Sequence, residues 1–418
     1  MAYLTIEGGR PLHGRITVQC AKNSVLPVLA ATLLAADTCR LVACPHLSDV
    51  ETAAEILRHL GCTARWEGED LVVDTTHVVR CDIPETLMRK MRSSVIFLGA
   101  ILSRCSQAEL SYPGGCELGP RPIDLHLTAL RTLGAEINEV GGSLLCRAHH
   151  LQGTDIVLTL PSVGATENAI LAACGAQGVT VISNAAREPE IGDLQSFLQK
   201  LGVAIHGAGT SSITVHGCKM PHGCTHRCIG DRIAAATYLC AAAGSGGRIT
   251  LDGIDYRHLA TVTTALHQSG CRIQCGADTI TLESDGPLRS IAPVRTSPYP
   301  GFPTDAQAPL MAALLRSTGA TMFVENMFDS RYRHVPELLR MGADIRLEGR
   351  VAVICGVSKL HGATVHATDL RGGAALVIAA LQTRDTTQIH DIYHIQRGYQ
   401  DLAGDLTALG ASVSAADV

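Results

Sequence analysis

Leu130-Arg131-Thr132-Leu133-Gly134-Ala135-Glu136-Ile137 closes a helix-like run on leucine, passes through one glycine and starts a strand-like run. Glycine just past a helix end enters the left-handed conformation at least cost, so the octet reads as helix, C-terminal turn, strand. The device recurs. Leu57-Arg58-His59-Leu60-Gly61-Cys62 precedes it, and Leu198-Gln199-Lys200-Leu201-Gly202-Val203 follows. The second half adds Leu266-His267-Gln268-Ser269-Gly270-Cys271, Leu338-Leu339-Arg340-Met341-Gly342-Ala343 and Leu406-Thr407-Ala408-Leu409-Gly410-Ala411. Only Ser269 breaks the apolar position before the glycine, and the glycines are spaced by 73, 68, 68, 72 and 68 residues. Self-similarity at a near-fixed period marks a repeated structural unit. Each unit also carries alternating stretches, such as Ile156–Leu160 or Arg248–Leu251, and an Ala/Leu-rich segment, such as Thr166–Cys174 or Ile233–Ala243. Helices with so few charges on any face are enclosed by protein. The expected fold class is α/β: six repeats in two inside-out lobes of three, helices within and sheets outside. A cleft between lobes is where a small-molecule site is expected.

Composition narrows the function. The 418 residues are 17% charged, against roughly 25% in an average soluble chain, with 41 glycines and a net charge of −5 from 34 basic and 39 acidic side chains. An acidic chain with 3% aromatic residues lacks the basic footprint and stacking rings of a nucleic-acid binder. At 46% apolar it is not disordered. The longest apolar runs, Val25–Ala36 with Pro27 inside it and Val95–Leu102, fall short of the ~20 residues of a membrane span. Met1-Ala2-Tyr3-Leu4 has no basic region leading into an apolar run, so no signal peptide is expected. Sixteen scattered cysteines read as reduced, small apolar residues. The expected location is the cytoplasm.

Several segments carry chemistry. Pro113-Gly114-Gly115-Cys116-Glu117-Leu118-Gly119-Pro120-Arg121-Pro122 is too rich in Gly and Pro for a helix or central strand. A loop cysteine near Arg121 has the setting of a low-pKa acid or nucleophile. Gln19-Cys20-Ala21-Lys22-Asn23-Ser24 puts a lysine at a helix start, where backbone N–H groups also favour an anion. Met88-Arg89-Lys90-Met91-Arg92-Ser93-Ser94 opens an apolar helix with three cations. Pro298-Tyr299-Pro300-Gly301-Phe302-Pro303-Thr304-Asp305 presents Asp305 before a helix, either as a cap or as a general base. Arg331, Arg333, Arg371 and Arg397 stand on turns or helix starts and suit phosphate or carboxylate. Cys218, His222, Cys224, His226 and Cys228 offer five possible zinc ligands within eleven residues, without the paired C-x₂-C units of a structural zinc site. Cys224, His226 and Cys228 alternate as one face of a strand would, and no metal is expected.

Together these segments resemble the UDP-N-acetylglucosamine 1-carboxyvinyltransferase family of enolpyruvyl transferases, within the EPSP synthase-like proteins. The resemblance runs the whole length. It rests on Lys22-Asn23, Met91-Arg92-Ser93-Ser94, Pro113-Gly114-Gly115-Cys116, Arg121-Pro122-Ile123-Asp124-Leu125-His126, Ser162-Val163-Gly164-Ala165-Thr166 and Ala186-Arg187-Glu188-Pro189-Glu190. In the second half it rests on Asp231-Arg232, Phe302-Pro303-Thr304-Asp305 and His334-Val335-Pro336-Glu337-Leu338. It implies an enolpyruvyl transferase fold, with residues 22–229 as the lobe carrying the Cys116 loop. Residues 1–21 and 230–418 form the lobe carrying Asp305 and Arg397. It implies transfer of the enolpyruvyl group of phosphoenolpyruvate to the 3′-hydroxyl of UDP-N-acetylglucosamine, the first committed step of peptidoglycan precursor synthesis, with no cofactor and no metal. Cys116 matches the family's proton donor, which is alkylated by fosfomycin, and Asp305 matches the base. Lys22, Arg121 and Arg397 match cations that hold phosphoenolpyruvate. Asn23, Arg92, Arg121, Pro122, Ile123, Asp124, Leu125, Val163, Gly164 and Met327 match the UDP-sugar site, and Arg331 and Arg371 join the substrate-binding set. The chain departs from the family at Ala234, Leu160, Gln396 and Gly372-Gly373. The shikimate 3-phosphate transferase, a non-catalytic UDP-sugar-binding paralogue and a cysteine-rich metal or redox protein are the alternatives. Cys116 with the Arg121–Leu125 run speaks against the first, and the intact Lys22, Cys116, Asp305 and Arg397 set against the second.

Overall fold

The computed structural model describes residues 3–112, 123–218 and 221–416. Its strands form six four-stranded sheets of one plan, a parallel pair extended by two antiparallel neighbours. Asp82–Ile83, for example, runs parallel to Gln107–Ser111, which pairs antiparallel with Ser143–Arg147, and that strand with Glu136–Val140. A parallel pair needs a crossover rather than a tight turn, and here the crossover contains the helix Phe97–Cys105.

The chain divides into two compact units: residues 20–112 with 123–229, the internal unit, and residues 3–19 with 230–416, the terminal unit. Each has three sheets around three central helices. In the internal unit these are Lys22–Thr32, Phe97–Cys105 and Val163–Ala173. In the terminal unit they are Arg232–Ser245, Thr304–Ala313 and Leu370–Leu381, which pack on one another. Residues Ala165–Ala173, Arg232–Ala243 and Arg371–Leu381 are buried without a break, as a helix apolar on every face must be. The low charge content follows, because the helices that usually carry charge on one face here have no solvent face.

The six repeat glycines take φ values of 102° (Gly61), 97° (Gly134), 94° (Gly202), 112° (Gly270), 87° (Gly342) and 94° (Gly410). That is the left-handed region expected of the residue after a helix end. Ser269 breaks the apolar pattern without penalty: it is fully buried, and its hydroxyl donates to the Leu266 carbonyl at 2.7 Å.

In five sheets the third strand comes from the same hairpin as the fourth, as Val351–Cys355 follows Asp344–Glu348. The sixth is closed differently. Tyr3–Glu7 lies between Thr386–His390 and Ser412–Ala416, with Leu4 opposite both Ile389 and Ala415.

The Met88–Ser94 segment corrects the sequence reading. Rather than opening one helix, the chain ends a short helix Glu85–Lys90, becomes extended at Met91, makes a 3₁₀ turn over Arg92–Ile96 and only then enters Phe97–Cys105. Arg89 and Lys90 form exposed ion pairs with Glu85 and Glu55. Among the described residues no cysteine is disulfide-bonded, and no helix is long and apolar enough to cross a membrane.

Candidate active site

In the internal unit, Lys22 is the first residue of its helix, and its Nζ meets Asp49 Oδ2 at 3.1 Å. Asp49 is itself buried in the first turn of Ser48–His59. It went unnoticed in the sequence, where nothing marks it from other helix-start acids. Asn23, next to Lys22, is exposed.

The remaining sequence-predicted residues of this unit gather around a buried amide. Asn168, on Val163–Ala173, accepts from the Gly99 N–H through Oδ1 at 2.6 Å. Its Nδ2 donates to the Val95 carbonyl and to His126 Nδ1, both at 2.8 Å. One side chain therefore joins the turn that carries Arg92, the helix Asp124–Thr132 and the helix that begins at Val163. Ile123 is buried at the start of Asp124–Thr132, Asp124 is exposed and Leu125 half-buried. Val163 and Gly164 are half-buried at the next helix start, where the Ser162 hydroxyl accepts from the Ala165 N–H. A Cβ on Gly164 would stand 2.9 Å from His126 Cε1, so glycine lets the imidazole pass beneath the turn. Burial pushes the His126 imidazole down to about 4, the Asp124 charge opposing this and the Arg92 charge adding to it. It is therefore neutral at pH 7, with Nδ1 as the acceptor. Glu167, fully buried on the same helix, is pushed well above the usual carboxyl range by burial and by the Glu190 and Glu188 charges. Cys116, Arg121 and Pro122 lie outside the described residues.

In the terminal unit, Asp305 is the second residue of Thr304–Ala313, and the capping alternative is overturned: the cap position is Pro303, with no side-chain cap bond. The carboxylate instead takes two buried guanidinium groups. Arg331 Nη2 donates to Oδ1 at 2.6 Å, and Arg371 donates to Oδ2 from Nη2 at 3.1 Å and Nε at 3.3 Å. Arg331 also donates to the Thr304 carbonyl at 3.1 Å. Arg371 Nη1 donates to Tyr399 Oη at 3.2 Å, and that hydroxyl shares a 2.7 Å bond with Thr237 Oγ1. Both arginines, placed in the substrate-binding set by the sequence, here hold the protein's own Asp305 carboxylate. Each carboxylate oxygen has more than one lone pair, and 28% of the Asp305 side chain stays exposed, so the group keeps an open edge.

Two anchors, buried Glu325 and half-buried Gln19, set the flanking loops. Glu325 Oε1 accepts from Thr296 Oγ1 and from the Met327 and Phe328 N–H groups, while Oε2 accepts from Thr304 Oγ1. It ties the loop bearing exposed Met327 to the start of the Asp305 helix. Gln19 donates to the Gly398 carbonyl at 3.1 Å and accepts from the Gln400 N–H at 2.8 Å, framing half-buried Arg397. Arg333 is exposed. A cavity of about 490 Å³ in this unit, lined by Gly246, Arg316, Ser317 and Gln382, lies at the other end of the Asp305 helix.

The cysteine-histidine segment is organised otherwise than its alternation suggested. The strand is only Thr225–His226. His226 Nε2 donates to Asp193 Oδ1 at 2.9 Å, and Lys200 Nζ faces His226 Nδ1 at 3.1 Å. Asp193 Oδ2 accepts the Ile229 N–H at 3.2 Å. Asp193, His226 and Cys228 are the one group of three potential metal ligands among the described residues. Its polar atoms are already committed to one another and to a lysine.

The EPSP synthase (3-phosphoshikimate 1-carboxyvinyltransferase) family model matches residues 6–406. The enolpyruvyl transferase NikO from Streptomyces tendae superposes with a TM-score of 0.88 at 26% identity, over 99% of this chain and 98% of that one. An EPSP synthase from Acinetobacter baumannii shares the fold, with a TM-score of 0.76 at 17% identity and full coverage of both chains. The chain belongs to the EPSP synthase family. Within that family it is similar to UDP-N-acetylglucosamine 1-carboxyvinyltransferase 2 of Caldanaerobacter subterraneus subsp. tengcongensis, 47% identical over 413 residues and 99% of each chain. It is 46% identical over 422 residues to the UDP-N-acetylglucosamine 1-carboxyvinyltransferase of Zymomonas mobilis subsp. mobilis, again over 99% of each. The fold class and family expected from the sequence are those found.

Proposed function

We propose that this chain transfers the enolpyruvyl group of phosphoenolpyruvate to the 3′-hydroxyl of UDP-N-acetylglucosamine, releasing phosphate, as the first committed step of peptidoglycan precursor synthesis in the cytoplasm. The observation that carries this reading is the 47% identity over 99% of both chains to a relative of that name. The reaction adds a hydroxyl across an enol phosphate. It needs an acid for carbon, a base for the hydroxyl and cations for phosphate and carboxylate. In this reading Cys116 is the acid, and Asp305 takes the hydroxyl proton through its open edge. Lys22, Arg121 and Arg397 hold phosphoenolpyruvate. Asn23, Arg92, the Arg121–Leu125 run, Val163, Gly164 and Met327 contact the UDP-sugar. Arg331 and Arg371 belong to the substrate-binding set and, engaged with Asp305, also orient that base. Residues 22–229 make the lobe bearing Cys116, and residues 1–21 with 230–418 the lobe bearing Asp305.

The test is phosphate release from phosphoenolpyruvate by purified protein, with and without UDP-N-acetylglucosamine. Release that depends on the sugar nucleotide is expected. Release that depends on shikimate 3-phosphate instead, or binding of the sugar nucleotide without turnover, would replace this reading with the corresponding alternative.

A further inference from the structure

Cys39 and Cys224 lie far apart in the internal unit's sequence and meet on one sheet. Thr225–His226 runs parallel to Thr38–Leu41, with Thr225 opposite Arg40 and His226 opposite Leu41. One residue earlier the same register sets Cys224 opposite Cys39, and the Arg40 N–H donates to the Cys224 carbonyl at 2.9 Å. Strand alternation turns both side chains to the face of buried Leu41 and His226. The approach is pinned from the residue before. The Gly223 N–H donates to Asp37 Oδ2 at 2.8 Å, and a Cβ on Gly223 would sit 2.0 Å from the Thr38 carbonyl oxygen. The two thiols are free.

Their surroundings assign different roles. Cys39 is fully buried, whereas Cys224 is half-buried, with exposed His222 and Thr225 close by in the chain. The neighbouring Cys224 thiol and burial push the Cys39 thiol up. The neighbouring Cys39 thiol, with the Lys200 and His222 charges, brings Cys224 below its ordinary value. Lys200 Nζ is fixed beside the strand, 3.4 Å from the Thr225 carbonyl. The thiolate therefore forms on the sulfur that reagent can reach.

We propose that Cys39 and Cys224 are a reversible oxidation site that closes to a disulfide by exchange with a small-molecule disulfide of the glutathione type. The Cys224 thiolate attacks one sulfur of the reagent and expels a small thiolate. Cys39 attacks Cys224 Sγ in the mixed disulfide and its proton passes to the second small thiolate as that group is expelled. Two protein thiols are oxidised, and the reagent's two sulfurs are reduced to two thiols. Adjacent strands stand about 4.8 Å apart, inside the Cα range that a disulfide spans. The partner is a two-residue edge strand, with little ladder to disturb.

Reduced full-length protein is incubated with oxidised glutathione, alkylated and digested with trypsin. Each cysteine is the sole one in its tryptic peptide, residues 23–40 for Cys39 and 220–227 for Cys224. The expected product is the linked pair of these peptides, released by dithiothreitol. In Cys39→Ser, peptide 220–227 carries one glutathione instead; in Cys224→Ser, peptide 23–40 stays unmodified. Failure to find the linked pair once the exposed Cys275 has been glutathionylated overturns the proposal. Linkage of Cys224 to any other cysteine also overturns it, as does modification of Cys39 in the Cys224→Ser protein. Should a serine variant not fold, the wild-type digest alone decides.

Discussion

Replacing Asn168 by leucine keeps the branched side-chain shape, with larger methyl ends, and removes every polar contact of the amide. Two buried groups then lose their partner: the Gly99 N–H, in the first turn of its helix, and His126 Nδ1. The Val95 carbonyl loses one donor but keeps a turn bond from the Phe97 N–H. An orphaned buried donor or acceptor costs about 1–3 kcal/mol, so two of them predict a loss of about 2–6 kcal/mol. That is a large part of the roughly 5–15 kcal/mol that holds a domain folded. The readout is built in. The chain has one tryptophan, Trp66, in the internal unit, its ring stacked on His46 at a centroid distance of 3.7 Å. Urea unfolding followed by its emission reports this unit. The midpoint of Asn168→Leu should fall with the slope unchanged. A loss below about 1 kcal/mol would refute the claim that the amide is the joint of three elements. Asn168→Asp keeps the acceptor for Gly99 and turns a carboxylate oxygen towards His126. It should raise the His126 pKa from about 4, read by NMR of the ring protons.

Asp305→Asn should lower sugar-nucleotide-dependent phosphate release by about 10²–10⁴-fold. It should leave the circular dichroism spectrum unchanged, since Arg331 and Arg371 keep the Thr304 carbonyl and Tyr399 hydroxyl. Burial holds the His334 imidazole at about 4, with the Arg331 charge acting the same way and Asp369 opposing it. The unfolded chain takes up that proton below about pH 6.5 and the folded chain only near 4, so stability is lost as pH falls through this window. The loss is about 3 kcal/mol in all. Urea midpoints between neutral pH and about pH 4.5 should show it, and His334→Gln should remove its share of the dependence, leaving that of His126, also held at about 4. Gly410→Ala, at φ 94° with nothing near the new Cβ, should cost about 1–2 kcal/mol from backbone strain alone. Gly286→Ala, equally open but without positive φ, should be nearly neutral in the same melt.

The repeat was legible because a left-handed helix end is a local demand that one residue type meets best, and Gly61 to Gly410 meet it six times. Helices without a polar face could likewise be read as enclosed. What stayed hidden depends on contacts remote in sequence. Asp49 differs from any other acid in a first helical turn until Lys22 folds against it. Asn168 looks like one polar residue in an alanine-rich helix, although its partner Val95 is 73 positions away. The ambiguity at Asp305 was real locally, since an acid in the first turn suits a helix start. It was resolved by arginines that come 26 and 66 residues later. Strand register was just as invisible: nothing in Thr225–His226 names Arg40 and Leu41 as its neighbours.

The placing of Tyr3–Glu7 between Thr386–His390 and Ser412–Ala416 orders events in time. A chain emerging from the ribosome makes this strand before every other described strand and its two neighbours after all the others, so the sheet waits for the other five. The internal unit has all its described strands by His226 and can be complete while the terminal unit still lacks all seven of its described α-helices and all but two of its described strands. Domains fold as units during synthesis, which makes the internal unit the earlier to mature. Residue 3 is meanwhile exposed as an unpaired edge, the state in which a strand recruits wrong partners. The same arrangement offers a remedy by permutation. A short linker from residue 416 to residue 3 would turn the two outer pieces into the hairpin that the other five sheets already possess.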